Sequence, residues 1–165
     1  MLDRRQHRDA LHSFIADRRP DLAVSFNLKH ALNFDTLQST IHLFMNKLQR
    51  VVDGRNWNRV PPADRPAAIG MLENPDTNPH VHASLYAPAR YVEFLLSDAA
   101  QPLWSSCHRN CGQLDVAPPR DVRRWASYQI KFVRGGEALD CMVLYVPQAR
   151  VANSSLQPAR QLAEP

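Results

Sequence analysis

Residues 67–86 constrain this chain more than any other stretch. The run Asn78-Pro79-His80-Val81-His82 sets two imidazoles on either side of one branched apolar residue. On a strand, alternate side chains share a face, so His80 and His82 point one way and Val81 the other. Glu73 ends the apolar run before it, and the segment Pro75-Asp76-Thr77-Asn78-Pro79 has the composition of a turn. Strand, turn and strand then fold back as a hairpin, with Glu73 roughly opposite His80. Two imidazoles and a carboxylate on neighbouring strands make three ligands for a divalent cation, with positions left for water or substrate. The competing reading is a plain surface pair of histidines.

Around the hairpin, periodicity predicts the remaining elements. Residues 3–18 read as a helix with Leu11, Phe14 and Ile15 in one stripe and Arg4, Arg5, Arg8, Arg18 and Arg19 on its polar side. Residues 22–29 alternate as a strand, with Leu22, Val24, Phe26 and Leu28 on one face and Ser25, Asn27 and Lys29 on the other. Residues 35–52 repeat apolar side chains at helical spacing, and Asn33 or Asp35 can cap them. Residues 54–66 read as a loop in which Arg55, Trp57 and Arg59 interleave. That pattern suits base stacking with phosphate contact, or a tryptophan anchoring the loop. Residues 67–73 and 79–86 form the hairpin. A helix is expected over 89–100, a loop over 101–110 and a short strand over 112–116. A helix follows over 120–134 and a last strand over 139–146. The expected fold is α+β: a central antiparallel sheet of about five strands with helices packed against it. Residues 1–20 are expected as a basic N-terminal helix, 21–147 as the principal domain, and 148–165 as a flexible tail.

With 44% hydrophobic and 22% charged residues, a fully disordered chain is excluded. The net charge of +4 permits an anionic partner without requiring one. Three cysteines, two of them in Cys107-His108-Arg109-Asn110-Cys111, do not make a secreted disulfide framework. No run approaches the roughly 20 apolar residues that span a bilayer. The charged N-terminus leads into no apolar core of a signal peptide. The expected setting is therefore the cytoplasm, with no membrane partner.

The helix expected over 120–134 carries Trp125-Ala126-Ser127-Tyr128-Gln129-Ile130-Lys131. Tyr128 and Lys131 are three apart, as is Trp125 from Tyr128, which puts them on one helix face. Read alone, these are an edge tyrosine and a solvated lysine.

Taken in order, Glu73, then His80-Val81-His82, then Tyr128-Gln129-Ile130-Lys131 resemble the HUH endonuclease superfamily. They resemble more narrowly its replication-initiator branch, which starts rolling-circle replication of plasmids and single-stranded DNA phages. The run Ile69-Gly70-Met71-Leu72-Glu73 leads into the metal motif as in that family. Val24-Ser25-Phe26-Asn27-Leu28 stands where its first-strand motif lies, although it matches only loosely. The resemblance spans about residues 22–146 and implies a palm-like α+β fold. It also implies a divalent metal, Mg²⁺ or Mn²⁺, on His80, His82 and Glu73, and catalysis by Tyr128 with Lys131.

The implied activity is site-specific nicking and strand transfer on single-stranded DNA. It passes through a 5′-phosphotyrosine on Tyr128 and leaves a free 3′-OH that can prime synthesis. The implied partners are single-stranded DNA or a hairpin at an origin, with a host helicase and polymerase, since the sequence carries no P-loop motif. Asn27, Lys29, Arg55, Trp57, Arg59 and Arg124 are the candidate DNA contacts. Two alternatives stay open. One is a catalytically inactive protein of the same fold that binds single-stranded DNA or hairpins. The other is a zinc-binding structural protein using Cys107, His108 and Cys111.

Overall fold

The computed structural model describes residues 4–131 and 141–147. The tail expected over 148–165 lies outside them. In chain order the elements are α1 (Arg4–Arg18), β1 (Leu22–Leu28), α2 (Phe34–Asp53), two 3-10 turns (Gly54–Arg59 and Pro62–Asp64), β2 (Ala67–Glu73) and β3 (His80–Tyr86). Then come α3 (Ala89–Leu95), α4 (Ala100–Ser105), β4 (Cys111–Ala117), α5 (Val122–Gln129) and β5 (Met142–Tyr145). The strands form one antiparallel sheet in the order β4-β1-β3-β2-β5. The expected α+β class and five strands are what the described residues form.

Helices cover one face of the sheet and part of the other, and two separate cores result. On one face Leu22, Val24, Phe26, Val81, Ala83 and Leu85 meet the apolar stripe of α2 (Leu37, Ile41, Phe44, Met45 and Leu48), with Tyr91, Leu95 and Trp104 from α3 and α4. Phe26, Phe44 and Trp104 form an aromatic triangle with ring centroids 5.0–5.7 Å apart. Each such buried side chain is worth about 1.5–3 kcal/mol. The α2 helix begins where Asn33 Oδ1 accepts from the Thr36 amide at 2.8 Å and stops at Gly54, whose φ is 66°. Of the two caps the sequence offers, Asn33 is the one used.

On the other face α1 and α5 lie together over the sheet, with Ile15 and Ala16 against Ile69, Ala126 and Ile130. So α1 is a bracing element and not merely a basic appendage. Its Leu11 joins this core, but Phe14 is exposed and carries the Arg18 guanidinium 4.5 Å from its ring centroid. His12 Nε2 reaches Ser127 Oγ at 3.0 Å and the Arg123 carbonyl at 3.2 Å, which fixes α1 against α5.

Two expected boundaries are corrected. The single helix expected over 89–100 is two helices with a break at Ser97, and α4 occupies part of the expected loop. Ser97 Oγ donates to the Phe94 carbonyl and accepts from the Ala99 amide, closing one helix before the next begins. Restarting puts Pro102 in a first turn, where a missing N–H costs nothing, and lets Trp104 enter the core. The helix expected over 120–134 runs only from Val122 to Gln129 among the described residues, capped by Asp121 Oδ1 on the Arg124 amide at 2.9 Å.

Candidate metal and nucleophile site

Strand register alone assembles the acidic and imidazole groups. In the β2–β3 ladder Glu73 pairs directly with His80, and Met71 with His82. On the far side of β3, Ser25 pairs with His82 and Asn27 with His80. Alternation puts Glu73, His80, His82, Ser84, Ser25 and Asn27 on the α5 side of the sheet, because Val81, Ala83 and Leu85 fill the larger core.

The three expected ligands converge. Glu73 Oε2 lies 3.3 Å from His80 Nε2 and 3.7 Å from His82 Nε2, and the donor atoms of the three residues fall within 4.8 Å of one another. His80 Nδ1 is 2.7 Å from the Asn78 carbonyl, which can only accept, so Nδ1 carries a proton and Nε2 is the lone-pair nitrogen of the neutral ring. His82 Nδ1 is 2.8 Å from Ser25 Oγ, which turns its Nε2 inward as well. Burial, then the neighbouring His80 and Lys131, pushes the His82 pKa down to about 4, so its ring is neutral at pH 7.

Glu73 Oε1 and His82 Nε2 are buried without a hydrogen-bond partner, and Glu73 Oε2 is met by ion-pair contacts, among them Lys131 Nζ at 3.2 Å. Orphaned buried acceptors are costly and need an explanation. Three lone-pair donors aimed at one point fit a divalent cation, and a borderline mixture of nitrogen and oxygen ligands suits such ions. The cluster can therefore hold a divalent metal. It is the one such group of His, Cys, Asp and Glu among the described residues.

The tyrosine reaches this centre. The Tyr128 ring lies 4.7 Å from the His82 ring, centroid to centroid, and Trp125 stacks on Tyr128 at 5.9 Å and 27°. Tyr128 is 43% exposed, so the phenol faces both the cluster and solvent. The expected placement of Tyr128 and Lys131 on one helix face needs correction. Lys131 follows the helix, in a turn closed by its amide on the Tyr128 carbonyl at 3.2 Å. Such a turn still stacks residue i+3 over residue i. Lys131 Nζ sits 3.6 Å from the Tyr128 ring centroid and 3.2 Å from Glu73 Oε2. Burial alone would lower the Lys131 pKa, but contacts with Tyr128 and Glu73 outweigh it and leave it above the ordinary value.

Sequence reasoning missed the groups that aim α5. Trp125 Nε1 donates to Ser84 Oγ at 3.0 Å, Ser84 Oγ donates to Gln129 Oε1 at 2.7 Å, and Gln129 Nε2 donates to the Ile69 carbonyl at 2.7 Å. Ser84 and Gln129 are fully buried. The available signal was Ser84 on the same strand face as His80 and His82, pointing under the helix that bears Tyr128.

The candidate DNA contacts divide. Asn27 stands beside His80, and its Nδ2 donates to Asp115 Oδ2 at 2.9 Å and to the Gln113 carbonyl at 3.1 Å. Lys29 is exposed just past the end of β1, and Arg124 is exposed one turn before Tyr128. Arg55, Trp57 and Arg59 do not join the site. Arg65, just before β2, donates to the Asn58 and Val60 carbonyls and so holds their 3-10 turn near the start of β2, whereas Glu73 ends that strand, roughly 20 Å on at about 3.3 Å per residue. Trp57 is half-buried with the Arg50 guanidinium 5.2 Å from its ring centroid, the arrangement of a loop anchor.

The cysteine cluster is not brought together as a metal site either. Cys107 Sγ donates to the Leu103 carbonyl, and His108 Nδ1 accepts from the Asn110 amide. Burial pushes the Cys107 thiol up and Cys111 to about 11, and the donor atoms of Cys107, His108 and Cys111 do not converge on one point.

Among the described residues no helix is long and apolar enough to cross a membrane. Comparison with protein-family models, with curated proteins and with solved structures finds no match.

Proposed function

We propose that this chain is a metal-dependent, site-specific single-stranded DNA nickase and strand transferase of the HUH type. It would initiate rolling-circle replication of a plasmid or phage-like element in the cytoplasm. The observation that carries the reading is the meeting of the Tyr128 ring, 4.7 Å from His82, with the buried Glu73–His80–His82 cluster. Order and spacing of these residues in the sequence support it further.

Glu73, His80 and His82 would hold the cation, Mg²⁺ or Mn²⁺. When bound, it supplies Lewis-acid polarisation of the scissile phosphate. Tyr128 acts as the nucleophile: its Oη–phosphorus bond forms as the bond from phosphorus to the 3′ oxygen breaks. The phenol loses its proton, the departing 3′ oxygen gains one, and one ester is exchanged for another. The 5′ end stays on the protein and the strand can be rejoined. Ser25 and the Asn78 carbonyl hold the imidazoles in orientation. Lys131 brings a positive charge beside the Tyr128 ring. Ser84 and Gln129 fix the helix end from which Tyr128 projects.

Incubation with single-stranded origin-type oligonucleotides and Mn²⁺ tests the reading. The expected result is a DNA–protein band that survives denaturation and disappears in Tyr128→Phe and His80→Ala. If Tyr128→Phe cleaves as well as the wild type, the nucleophile is another group. Retained DNA binding with no adduct in the wild type would point to a binding protein instead.

A further inference from the structure

The cation nearest to Glu73 belongs to the chain itself. Lys131 Nζ stands 3.2 Å from Glu73 Oε2, the same oxygen that both imidazoles face at 3.3 and 3.7 Å. The Glu73 side chain is 1% exposed, and a carboxylate at that depth needs a compensating charge. A lysine ammonium carries its charge throughout the neutral range, whereas an imidazole ordinarily does not. Lys131 is also the partner best able to move: its stem is flexible and its side chain remains 32% exposed.

We propose that Lys131 is the built-in counter-ion of the metal-free site, and that its ammonium leaves Glu73 when a divalent cation is taken up. This rests on the metal-binding reading of Glu73, His80 and His82. The carboxylate oxygen that Lys131 faces is the one aimed at both imidazoles, so metal and ammonium compete for it. Two positive centres a few ångströms apart in a largely dry pocket also repel each other strongly. The main chain ties Lys131 to Tyr128 through the amide–carbonyl bond at 3.2 Å, and its Nζ already lies over the Tyr128 ring. The released ammonium therefore stays beside the phenol. Lys131 guards the acid in the empty state and serves the nucleophile in the loaded one, which orders the assembly of the site.

The test is Mn²⁺ binding by titration calorimetry on the full chain without DNA, for the wild type, Lys131→Gln, Lys131→Arg and Glu73→Gln. Thermal melting with and without Mn²⁺ accompanies it. Lys131→Gln is expected to bind Mn²⁺ on the order of tenfold more tightly than the wild type, the usual scale of coupling between competing charges. It should also melt lower without metal and gain more on adding it. Lys131→Arg, which keeps the charge, should stay near the wild type, and Glu73→Gln should lose binding. Equal or weaker Mn²⁺ binding by Lys131→Gln, with the wild type still binding through Glu73, overturns the counter-ion role and leaves the metal site standing. If neither wild type nor Lys131→Gln takes up Mn²⁺, the metal site itself fails and the counter-ion role falls with it.

Discussion

Gln129 Nε2 donates to the main-chain carbonyl of Ile69 at 2.7 Å, and that bond ties the helix bearing Tyr128 to the strand bearing Glu73. Both side-chain ends of Gln129 are used, since its Oε1 accepts from Ser84. Buried polar networks of this kind are fully committed: they hold one geometry, and breaking one member leaves the others unsatisfied. Tyr128 is thus aimed from below by residues that lie outside the Glu73–His80–His82 cluster.

Ser84→Ala leaves Gln129 Oε1 without its donor in a dry interior and takes the acceptor from the half-buried Trp125 Nε1. It should cost about 1–3 kcal/mol of stability, read from the urea unfolding midpoint. Formation of the covalent DNA adduct should fall further than the stability loss explains at temperatures where the variant is folded, because Tyr128 loses its aim. An adduct rate equal to wild type in the folded variant would show that α5 is positioned by other contacts.

Acid should weaken the fold through His82. Its folded pKa, about 4, lies below the unfolded value of 6.5, so the unfolded chain binds the extra proton between those limits. Stability therefore falls as pH drops from 6.5 towards 4, by about 3 kcal/mol for a shift of this size. Unfolding midpoints measured at pH 7, 6, 5 and 4.5 should show this slope, and His82→Gln should flatten it. A slope that survives in His82→Gln would belong to other groups.

Metal should stabilise the folded chain. A cation that binds the native state alone adds about 2.7 kcal/mol at one hundred times its dissociation constant. Mn²⁺ is accordingly expected to raise the melting temperature, and excess chelator to reverse the rise. In Glu73→Gln the rise should vanish, since the amide replaces the one anionic ligand. An undiminished rise in that variant would place the ion elsewhere.

Gly70 is a packing requirement of the hairpin. A Cβ built there would lie 2.6 Å from Val81 Cγ1 and 3.3 Å from the Ala83 methyl, on the large-core face. Val81 is stiff and fully buried, so it cannot yield cheaply. Gly70→Ala should cost about 1–3 kcal/mol in thermal or urea unfolding. A neutral result would show that the two strands can separate slightly without loss.

The sequence determined the hairpin and its consequence. His-x-His alternation, a proline-bounded turn and an apolar run ending in Glu73 were enough to place Glu73 opposite His80, because strand period and turn length leave little choice of register. The Asn33 cap, the α2 stripe and the inward face of β1 were legible for the same reason: each follows from local spacing. Tertiary packing decided what local spacing does not encode. That α1 braces α5, that Ser84 and Gln129 lock the helix bearing Tyr128, and that the turn of Arg55, Trp57 and Arg59 is held near the start of β2 all depend on chain crossings. So does the bridge of Lys131 between Tyr128 and Glu73, which joins residues 58 apart in the chain. Contacts of that range are chosen by which faces must be buried together, and no local pattern reports it.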